Sequence, residues 1–518
     1  MRVVTPREMA RIDQVAVDSE KIPGIELMER AGGEAARAAR DMLSSSGGRK
    51  VAVWCGGGNN GGDGFVAARL LSGQTGKGLE VTVFMLASAS RFSGDAMANL
   101  DRLNGLPLRV VKVSKDTPFG EFTGADPPFD LVIDAIFGTG FSGRPEGVFE
   151  EAIEAINGSG CPVLSVDIPS GVAGETGAVP GAAVRAERTV TFAAPKVGLV
   201  QFPGAALAGE IDVVDIGIPS RLMESVPESN VYLTTPGEAE RLLPSRVRDA
   251  HKRQCGSVLV VAGSPGMTGA AALCASAALR SGAGLVTLAV PEGVHQVMEM
   301  KLTEVMTRPL PQTSEGTLSL KASVMIAELS GGFDVLALGP GLSTHEETVK
   351  VTRELVSDLL IPMVIDADGL NAMAGHTHLF AGREAPFVLT PHPGELARLL
   401  DKGVQEIQGD RIGTAREAAA KWGAVVVLKG AGTVIAEPAG AVRVNTTGNP
   451  GMATAGMGDV LTGCVASFVA QGASAFEAAV AGAYFHGHAA DLAAQIDGEV
   501  GMLAGDVARH LPLAMRRP

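Results

Sequence analysis

Short apolar runs recur along the chain, and each is followed by a glycine-rich turn and then by apolar residues at helical spacing. In the first part of the chain, the runs occupy residues 50–55, 80–86, 131–137, 162–168, 189–194 and 211–218. A second series occupies residues 257–263, 284–290, 334–339, 362–368, 386–392 and 424–430. Strands that alternate with helices are typical of parallel sheets covered on both faces. The pattern therefore predicts two doubly wound α/β/α domains, with ligands bound at the carboxyl ends of the strands.

The strand pattern lapses between the two series, after residue 218. We therefore expect a first domain at residues 1–228 and a second at residues 229–518.

Charge and cysteine usage narrow the classes of function. A formal net charge of -14 argues against a nucleic-acid partner, since such proteins carry basic surfaces. The five cysteines are far apart and form no Cys-x-x-Cys motif, which argues against disulfides or structural zinc and indicates a reducing cytoplasm. The amino terminus lacks the apolar core of a signal peptide. The longest uncharged stretch, residues 254–279, is interrupted by Gly-Ser-Pro-Gly, so we expect no membrane partner.

The stretch GGGNNGGDG at residues 56–64 lies between a predicted strand and a helix that we expect to start near Asp63. Its backbone N–H groups are suited to a phosphate. No Gly-Lys-Ser/Thr follows, which excludes a Walker loop, and no acidic residue ends the next strand, where a dinucleotide fold would need one for the ribose. We therefore predict a nucleotide site without hydride transfer. The alternative is a structural turn in which Asp63 only caps the helix.

Two further strands end in carboxylates, Asp134 and Asp167, and Ser170 follows closely. Strand ends converge at one edge of a parallel sheet. Asn60, Asp134 and Ser170 are oxygen donors of the kind that alkali and alkaline-earth ions prefer, although each alone is also compatible with a turn cap. Lys196 follows another strand, either with its ammonium at the surface or as a proton carrier beside a carboxylate.

The stretch from residue 428 to 472 predicts a strand, a hairpin and a glycine loop that leads into a buried helix. Gly456 and Gly458 would let the backbone approach a transferring phosphoryl group, and Asp459 would accept a proton from an attacking hydroxyl. The alternative role of Asp459 is a helix cap. This helix start resembles that of the ribokinase-like fold.

The motifs NNGGDG, DAIFGTGFSGR, VDIPSGV and AAPK, in this order, resemble the NAD(P)H-hydrate epimerase family, whose fold is Rossmann-like. The resemblance implies that K⁺ is held by Asn60, Asp134 and Ser170. We predict Asp167 as the catalytic residue, together with Lys196. The substrate contacts that the resemblance implies are Asn59, Asn60, Gly61, Gly62, Asp63, Gly138, Thr139, Gly140, Phe141, Ser142, Gly143, Arg144 and Asp167.

The motifs AGSPGMTGAA, ALGPGLS, VIDADGLNAM, TPHPGE and KGAGT resemble the ribokinase-like ADP- or ATP-dependent NAD(P)H-hydrate dehydratases. The resemblance implies that Asp459 is the catalytic base and contacts the hydrate with Ala270, Gly341 and His392. Ala455 stands where the family usually has glycine, which puts the backbone approach at that point in question. The implied nucleotide contacts are Lys429, Gly430, Ala431, Gly432, Thr433, Asn449, Pro450, Gly451, Met452, Ala453, Thr454, Ala455, Gly456, Met457 and Gly458.

Together the two resemblances predict a bifunctional repair enzyme acting on hydrated NADH and NADPH (NADHX and NADPHX). Phosphorylation of the C6 hydroxyl by ADP or ATP would turn it into a leaving group, and Mg²⁺ would neutralise the transferring charge. Candidate Mg²⁺ ligands are Asp366, Asp368 and Glu395. The donor is left open, with ADP favoured, and a homo-oligomer is expected. The rival hypotheses are a small-molecule kinase that releases its phosphoester and a first domain that only senses nucleotide.

Overall fold

The computed structural model describes residues 1–73, 79–88, 91–92, 94–114, 117, 119, 129–226 and 228–517. The chain forms two compact units, Arg2–Asn230 and Val231–Pro518, the latter together with Met1. The domain limits 1–228 and 229–518 stay a prediction, since a compact unit and a functional domain need not share their ends. No described helix is long and apolar enough to cross a membrane.

The first unit contains a seven-stranded sheet in which all neighbouring strands are parallel. The strands of this unit are β1 (Arg2–Val3), β2 (Lys50–Cys55), β3 (Glu80–Met85), β4 (Arg109–Lys112), β5 (Leu131–Ala135), β6 (Val163–Val166), β7 (Arg188–Phe192) and β8 (Glu210–Val214). Its helices are α1 (Pro6–Asp18), α2 (Gly24–Ser46), α3 (Asn59–Ser72), α4 (Gly94–Asp101), α5 (Val148–Gly158), α6 (Val197–Val200) and α7 (Ser220–Ser225).

The order of the sheet is β4-β3-β2-β5-β6-β7-β8, so the chain reverses direction across the sheet between β2 and β5. A crevice forms at such a reversal, outside the carboxyl ends of the two strands. Strand β2 shows why both faces are covered: Val51, Val53 and Cys55 pack in one core, and Ala52 and Trp54 pack in another. Since successive side chains of a strand point to opposite faces, this continuous apolar run requires helices on both sides.

The second unit has a larger sheet that ends in an antiparallel hairpin. Its strands are β9 (Val231–Leu233), β10 (Ser257–Val261), β11 (Leu285–Pro291), β12 (Met306–Leu310), β13 (Val335–Leu338), β14 (Met363–Ile365), β15 (Phe387–Leu389), β16 (Val425–Leu428), β17 (Val434–Ala436) and β18 (Val442–Val444). Its helices are α8 (Pro236–Arg241), α9 (Thr268–Arg280), α10 (Glu292–Lys301), α11 (Lys321–Ser330), α12 (Glu346–Asp358), α13 (Asp368–Ala372), α14 (Pro393–Leu400), α15 (Val404–Gly409), α16 (Arg411–Trp422), α17 (Met457–Ala470), α18 (Ala475–Asp497) and α19 (Ala504–Ala514).

The order β9-β18-β17-β16-β15-β14-β13-β10-β11-β12 is parallel from β16 to β12, whereas β17 runs antiparallel to both β16 and β18. The buried helix α17 lies against α9. Gly463 permits this contact, because a Cβ there would lie 2.1 Å from the carbonyl oxygen of Cys274.

Every apolar run predicted as a strand overlaps an observed strand, and the predicted hairpin is also present. Among the described residues, four observed strands were not predicted, namely β4, β9, β12 and β1, which has only two residues. Strands β4 and β12 are edges of their sheets and largely exposed, and β9 has only three residues. An edge strand does not need the continuous burial on both faces that makes a central parallel strand visible in a sequence.

Candidate active sites

A cavity of about 1180 Å³ opens in the first unit beside the loops that follow β2 and β5. Its volume exceeds that of most small-ligand pockets, so it suits a ligand of nucleotide size or larger. Gly61, Gly62 and Gly143 belong to the predicted contacts but not to its lining. The predicted contacts that do line the cavity are Asn59, Asn60, Asp63, Gly138, Thr139, Gly140, Phe141, Ser142, Arg144 and Asp167.

The glycine loop serves close packing at two positions and opens to the cavity at a third. A Cβ at Gly56 would lie 1.9 Å from the carbonyl oxygen of Ile136, and one at Gly61 would lie 2.0 Å from that of Gly56. Gly58 is the N-cap residue of α3 and faces open space, and no side chain caps this helix start by a hydrogen bond. The first N–H groups of α3 therefore remain available to an anion in the cavity.

Helix α3 begins at Asn59, so the expected helix start near Asp63 is wrong. Asp63 lies inside the first turns of the helix, and it is therefore not a cap. Its side chain is buried at the cavity wall. Burial, followed by the charges of Asp167 and Asp13, raises the pKa of Asp63 well above its ordinary value, against an opposing effect of Lys196.

The predicted K⁺ ligands meet around the backbone of Phe137. Asn60 Nδ2 donates to the Phe137 carbonyl oxygen at 2.9 Å, and the Phe137 N–H donates to Ser170 Oγ at 2.9 Å. Ser170 Oγ in turn donates to Asp134 Oδ1 at 2.6 Å. Burial raises the pKa of Asp134 despite hydrogen bonds that oppose the rise. Asn60 Oδ1 is buried and has no hydrogen-bond partner among the described residues.

Lys196 and Asp167 form a buried ion pair at the cavity wall, with Nζ 2.6 Å from Oδ1. The ammonium also donates to Thr191 Oγ1 and to the Phe192 carbonyl oxygen, each at 3.0 Å. These bonds use all three of its N–H donors. Asp167 Oδ2 accepts the backbone N–H of Thr139 at 3.3 Å. Lys196 is therefore placed to hold the Asp167 carboxylate in position.

Sequence reasoning missed Asp13 at this site. It lies on α1 and lines the same cavity as Asp63, Asp167 and Lys196. Burial raises the pKa of Asp13 to about 6, with Lys196 opposing and Asp167 adding to the rise. The sequence does contain a signal for this position. Met9, Ile12 and Ala16 form the buried side of the helix, and Asp13 is a charged residue directly beside that apolar side.

In the second unit, Asp459 lies in the first turn of α17, directly after Gly458. The cap residue Gly456 has φ of +93°, a left-handed conformation that suits glycine. Burial raises the pKa of Asp459 to about 7, and the charge of Asp366 adds to the rise while Lys429 opposes it. A carboxyl with such a pKa changes its protonation state near neutral pH, as a general base requires.

Lys429 is the cation at this helix start, and its ammonium is engaged by carboxylates. Nζ lies 2.6 Å from Asp366 Oδ1 and 3.7 Å from Glu395 Oε2. Asp366 Oδ2 accepts the hydroxyl of Thr462, on α17, at 2.8 Å. A Cβ at Gly458 would approach Lys429 Nζ to 3.2 Å. The loop, the lysine and the start of α17 are thus held together by one buried network.

The residues predicted to contact the hydrate differ in the contacts that they make within the protein. Gly341 has φ of +63°, and a Cβ there would lie 3.2 Å from that of Ala270, which places these two residues side by side. His392 caps α14: its Nδ1 accepts the N–H groups of Gly394 at 3.0 Å and Glu395 at 3.3 Å. Only Nε2 of His392 remains for other contacts, and it lies 3.5 Å from Glu395 Oε1.

The predicted nucleotide loops are supported by two residues that sequence reasoning missed. Asp491 accepts the N–H of Gly448 and the Nδ2 of Asn449, each at 3.0 Å. Buried Arg411 donates to the carbonyl oxygens of Leu428 at 3.1 Å and Lys429 at 3.3 Å. Both residues are distant in the sequence from the loops that they bind, so no local motif marks them.

The backbone conformation at Ala455 is one that an alanine adopts readily. Ala455 is exposed and is not among the residues with positive φ. The left-handed turn falls on Gly456 instead, so the alanine imposes no backbone strain.

The candidate Mg²⁺ ligands are already engaged by protein donors. Asp366 binds Lys429 and Thr462 as described, Asp368 accepts from Ser343 N at 2.9 Å, and Glu395 accepts from the N–H of His392 at 2.8 Å. No group of three or more acidic, histidine or cysteine side chains is arranged to hold a metal in the part of the chain that the structure describes. Asp366, Asp368 and Glu395 therefore do not form a protein-only Mg²⁺ site.

Family models match both units. The family described as NAD(P)H-hydrate dehydratase matches residues 258–513, and the family described as YjeF-related protein N-terminus matches residues 24–198. The bifunctional NAD(P)H-hydrate repair enzyme Nnr of Moorella thermoacetica is 46% identical over 517 residues, which cover 100% of this chain and 97% of that protein. The chain belongs to the family of bifunctional NAD(P)H-hydrate repair enzymes.

Other members of the bifunctional NAD(P)H-hydrate repair enzyme family are similarly close. The enzyme of Thermofilum pendens is 41% identical, with 100% of this chain and 96% of that protein covered. The enzyme of Escherichia coli is 35% identical, with 96% and 91% covered.

A solved structure also matches the second unit of this repair enzyme. The ADP/ATP-dependent NAD(P)H-hydrate dehydratase of Bacillus subtilis, co-crystallised with ATP and Mg²⁺, is 32% identical with a TM-score of 0.50, and the match covers 55% of this chain and 98% of that one. The predicted family and the predicted fold class, a Rossmann-like unit followed by a ribokinase-like unit, are confirmed.

Proposed function

We propose that this chain repairs hydrated nicotinamide nucleotides in two steps. The first unit interconverts the R and S epimers of hydrated NADH and NADPH. The second unit dehydrates the S epimer at the expense of ADP or ATP. Both epimers then return to the usable reduced cofactor, because the first step supplies the form that the second consumes.

The observation that carries the proposal is the start of α17, where Asp459 lies beside the Lys429–Asp366 pair. Asp459 takes the proton of the C6 hydroxyl as that oxygen attacks the terminal phosphorus of the nucleotide. The unpaired N–H groups of the helix start stabilise the charge of the transferring group. The ring nitrogen then expels phosphate, which is a better leaving group than hydroxide.

The nucleotide is assigned to residues 429–433 and 449–458. The hydrate is assigned to Ala270, Gly341, His392 and Asp459. The support of Arg411 and Asp491 for the two nucleotide loops agrees with this assignment. Mg²⁺ would arrive on the phosphates of the nucleotide, since the described residues offer no complete set of ligands for it.

K⁺ fits the first unit. The buried Asn60 Oδ1 lacks a partner among the described residues, and the surrounding groups, Asp134, Ser170 and the Phe137 carbonyl, are hard oxygen donors. The ion would compensate the buried charge of Asp134 and fix the loop after β5 against the cavity. Asp167, held by Lys196, contacts the hydrate and moves a proton during epimerisation.

We also propose that the chain is cytoplasmic and homo-oligomeric, as expected from the sequence. Light scattering of the purified chain tests the latter, and a monomer at micromolar concentration would contradict it.

The test of function is turnover of a mixture of both epimers of hydrated NADH by the whole chain, with ADP and with ATP. We expect the absorbance of the reduced nicotinamide to return fully, with one phosphate released per molecule repaired. A stable phosphoester would instead identify a kinase. Dehydration that stops when the S epimer is exhausted, with the R epimer converted no faster than in buffer, would leave the first unit as a binding module.

A further inference from the structure

Helix α1 presents an acidic side chain to the epimerase cavity. Met9, Asp13 and Val17 line the cavity at intervals of four residues, which places them on one face of the helix. Asp13 is half-buried. The N-terminal helix, outside the motifs that carry the family resemblance, thus contributes a carboxyl group to the site.

Epimerisation at C6 needs two proton-handling groups, because the hydroxyl must leave from one face of the ring and return on the other. Asp167 supplies one. Lys196 is poorly placed to supply the other, because its three N–H donors already bind Asp167, Thr191 and the Phe192 carbonyl oxygen and its side chain is only 1% exposed. A second group must therefore come from elsewhere on the cavity wall.

Besides Asp167, the carboxyl groups that line this cavity are Asp13, Asp63, Asp95 and Glu146. The charge of Asp167 helps to raise the pKa of both Asp13 and Asp63, so we compare these two. Asp63 is buried, and burial raises its pKa well above the ordinary value, so its surroundings oppose the charged form that a cycling proton carrier must adopt. Asp13 is more exposed, and the rise of its pKa to about 6 lets it hold or release a proton near neutral pH. Of the two, Asp13 meets the requirement.

We propose that Asp13 is a second catalytic carboxyl of the epimerase, which exchanges a proton with the C6 oxygen on the face of the ring opposite to Asp167. This inference rests on the proposed function of the first unit and assigns a further residue to it.

The proposed steps balance in protons and electrons over one catalytic cycle. Protonated Asp13 gives its proton to the C6 hydroxyl, the C6–O bond breaks, and the lone pair of the ring nitrogen forms a C=N bond as water departs. Water then adds to C6 from the other face and gives a proton to the Asp167 carboxylate, while the electron pair returns to nitrogen. Transfer of that proton through water from Asp167 to Asp13 restores the enzyme, and the reverse reaction exchanges the two roles.

Charged groups from several elements surround this step. Those that share the cavity or lie on the neighbouring helix α7 are Asp63, Arg91, Asp95, Arg144, Glu146, Asp167, Lys196, Arg221 and Glu224.

The test uses Asp13→Asn in the full chain, with the pure R epimer and the pure S epimer as separate substrates and with nucleotide present. Loss of an acid–base group costs about 100-fold or more, so conversion of the R epimer should fall by at least that factor. Conversion of the S epimer, which needs only the second unit, should not change. Asp18→Asn is the matched control, since Asp18 lies on the same helix but is exposed, and it should convert both epimers normally.

Two further measurements separate a catalytic from a structural role. Asp13→Glu keeps the carboxyl and should recover part of the R-epimer rate with a shifted pH profile. The melting temperature of Asp13→Asn at neutral pH should not fall, because the folded state disfavours the charged form of this side chain. Normal R-epimer conversion by Asp13→Asn, or a loss that Asp13→Glu does not recover in any part, would overturn the inference. A wild-type chain that fails to interconvert the epimers would overturn the proposed function instead, and this inference with it.

Discussion

The protonation of Asp459 predicts how the rate of dehydration depends on pH. Its pKa is raised to about 7, chiefly by burial and then by the charge of Asp366. A general base acts only when deprotonated. With a pKa of about 7, roughly nine tenths of the enzyme carries the active carboxylate at pH 8 and roughly one tenth at pH 6. The rate of the chemical step should therefore fall about tenfold between these two values.

The assay is single-turnover dehydration of the pure S epimer at constant ionic strength, followed by the absorbance of the reduced nicotinamide. Single turnover keeps slow product release from masking the chemical step, and saturating nucleotide removes the effect of pH on nucleotide binding. Asp459→Asn should lose at least about 100-fold at every pH. Asp497→Asn, a change at an exposed aspartate at the end of α18, should follow the wild-type profile.

The stability of the Asp459→Asn variant provides an internal check. The raised pKa means that folding disfavours the charged carboxylate, so this group's contribution to stability is present at low pH and is lost as pH rises through about 7. At pH 8 the variant should therefore be at least as stable as the wild type. A rate that stays constant from pH 6 to pH 8, or a variant that keeps more than about one tenth of the wild-type rate, would refute the role of Asp459 as the base.

Three further predictions concern the first unit. Gly61→Ala forces a Cβ to within 2.0 Å of a backbone oxygen, whereas the Cβ of Gly58→Ala meets nothing within 4 Å. The free energy of unfolding, measured by denaturation, should therefore fall by about 1–3 kcal/mol for Gly61→Ala and little for Gly58→Ala. Equal losses would contradict this account of the loop. Asn60→Ala should raise the K⁺ concentration needed for half-maximal epimerisation about tenfold or more, and an unchanged K⁺ titration would remove Asn60 from the ion site. Lys196→Met leaves the buried Asp167 carboxylate unpaired and should lower the free energy of unfolding by about 3–5 kcal/mol. Adding Asp167→Asn should recover most of this loss. No recovery would mean that the lysine stabilises the unit through other contacts.

Much of the fold was predictable because a central parallel strand is buried on both faces and leaves a continuous apolar run. The hairpin before Asp459 and the glycine loop after β2 followed from the same local pattern. The start of α3 was not predictable to the residue, since Asn59 and Asp63 are both ordinary residues for a helix start. In the structure the helix begins at Asn59, directly after the cap residue Gly58.

The sequence by itself determined which stretches become strands, where the glycine loops fall, and that Asp167 follows a strand and Asp459 follows a glycine loop. These properties are local, because they depend on side-chain period and on the conformational freedom of glycine. The tertiary structure alone decided that Lys196 forms a buried ion pair with Asp167 and that α1 adds Asp13 to the cavity. It also decided that the candidate Mg²⁺ carboxylates accept hydrogen bonds from protein donors. Charge, burial and hydrogen bonding depend on neighbours brought together from distant parts of the chain, and no local pattern records those neighbours.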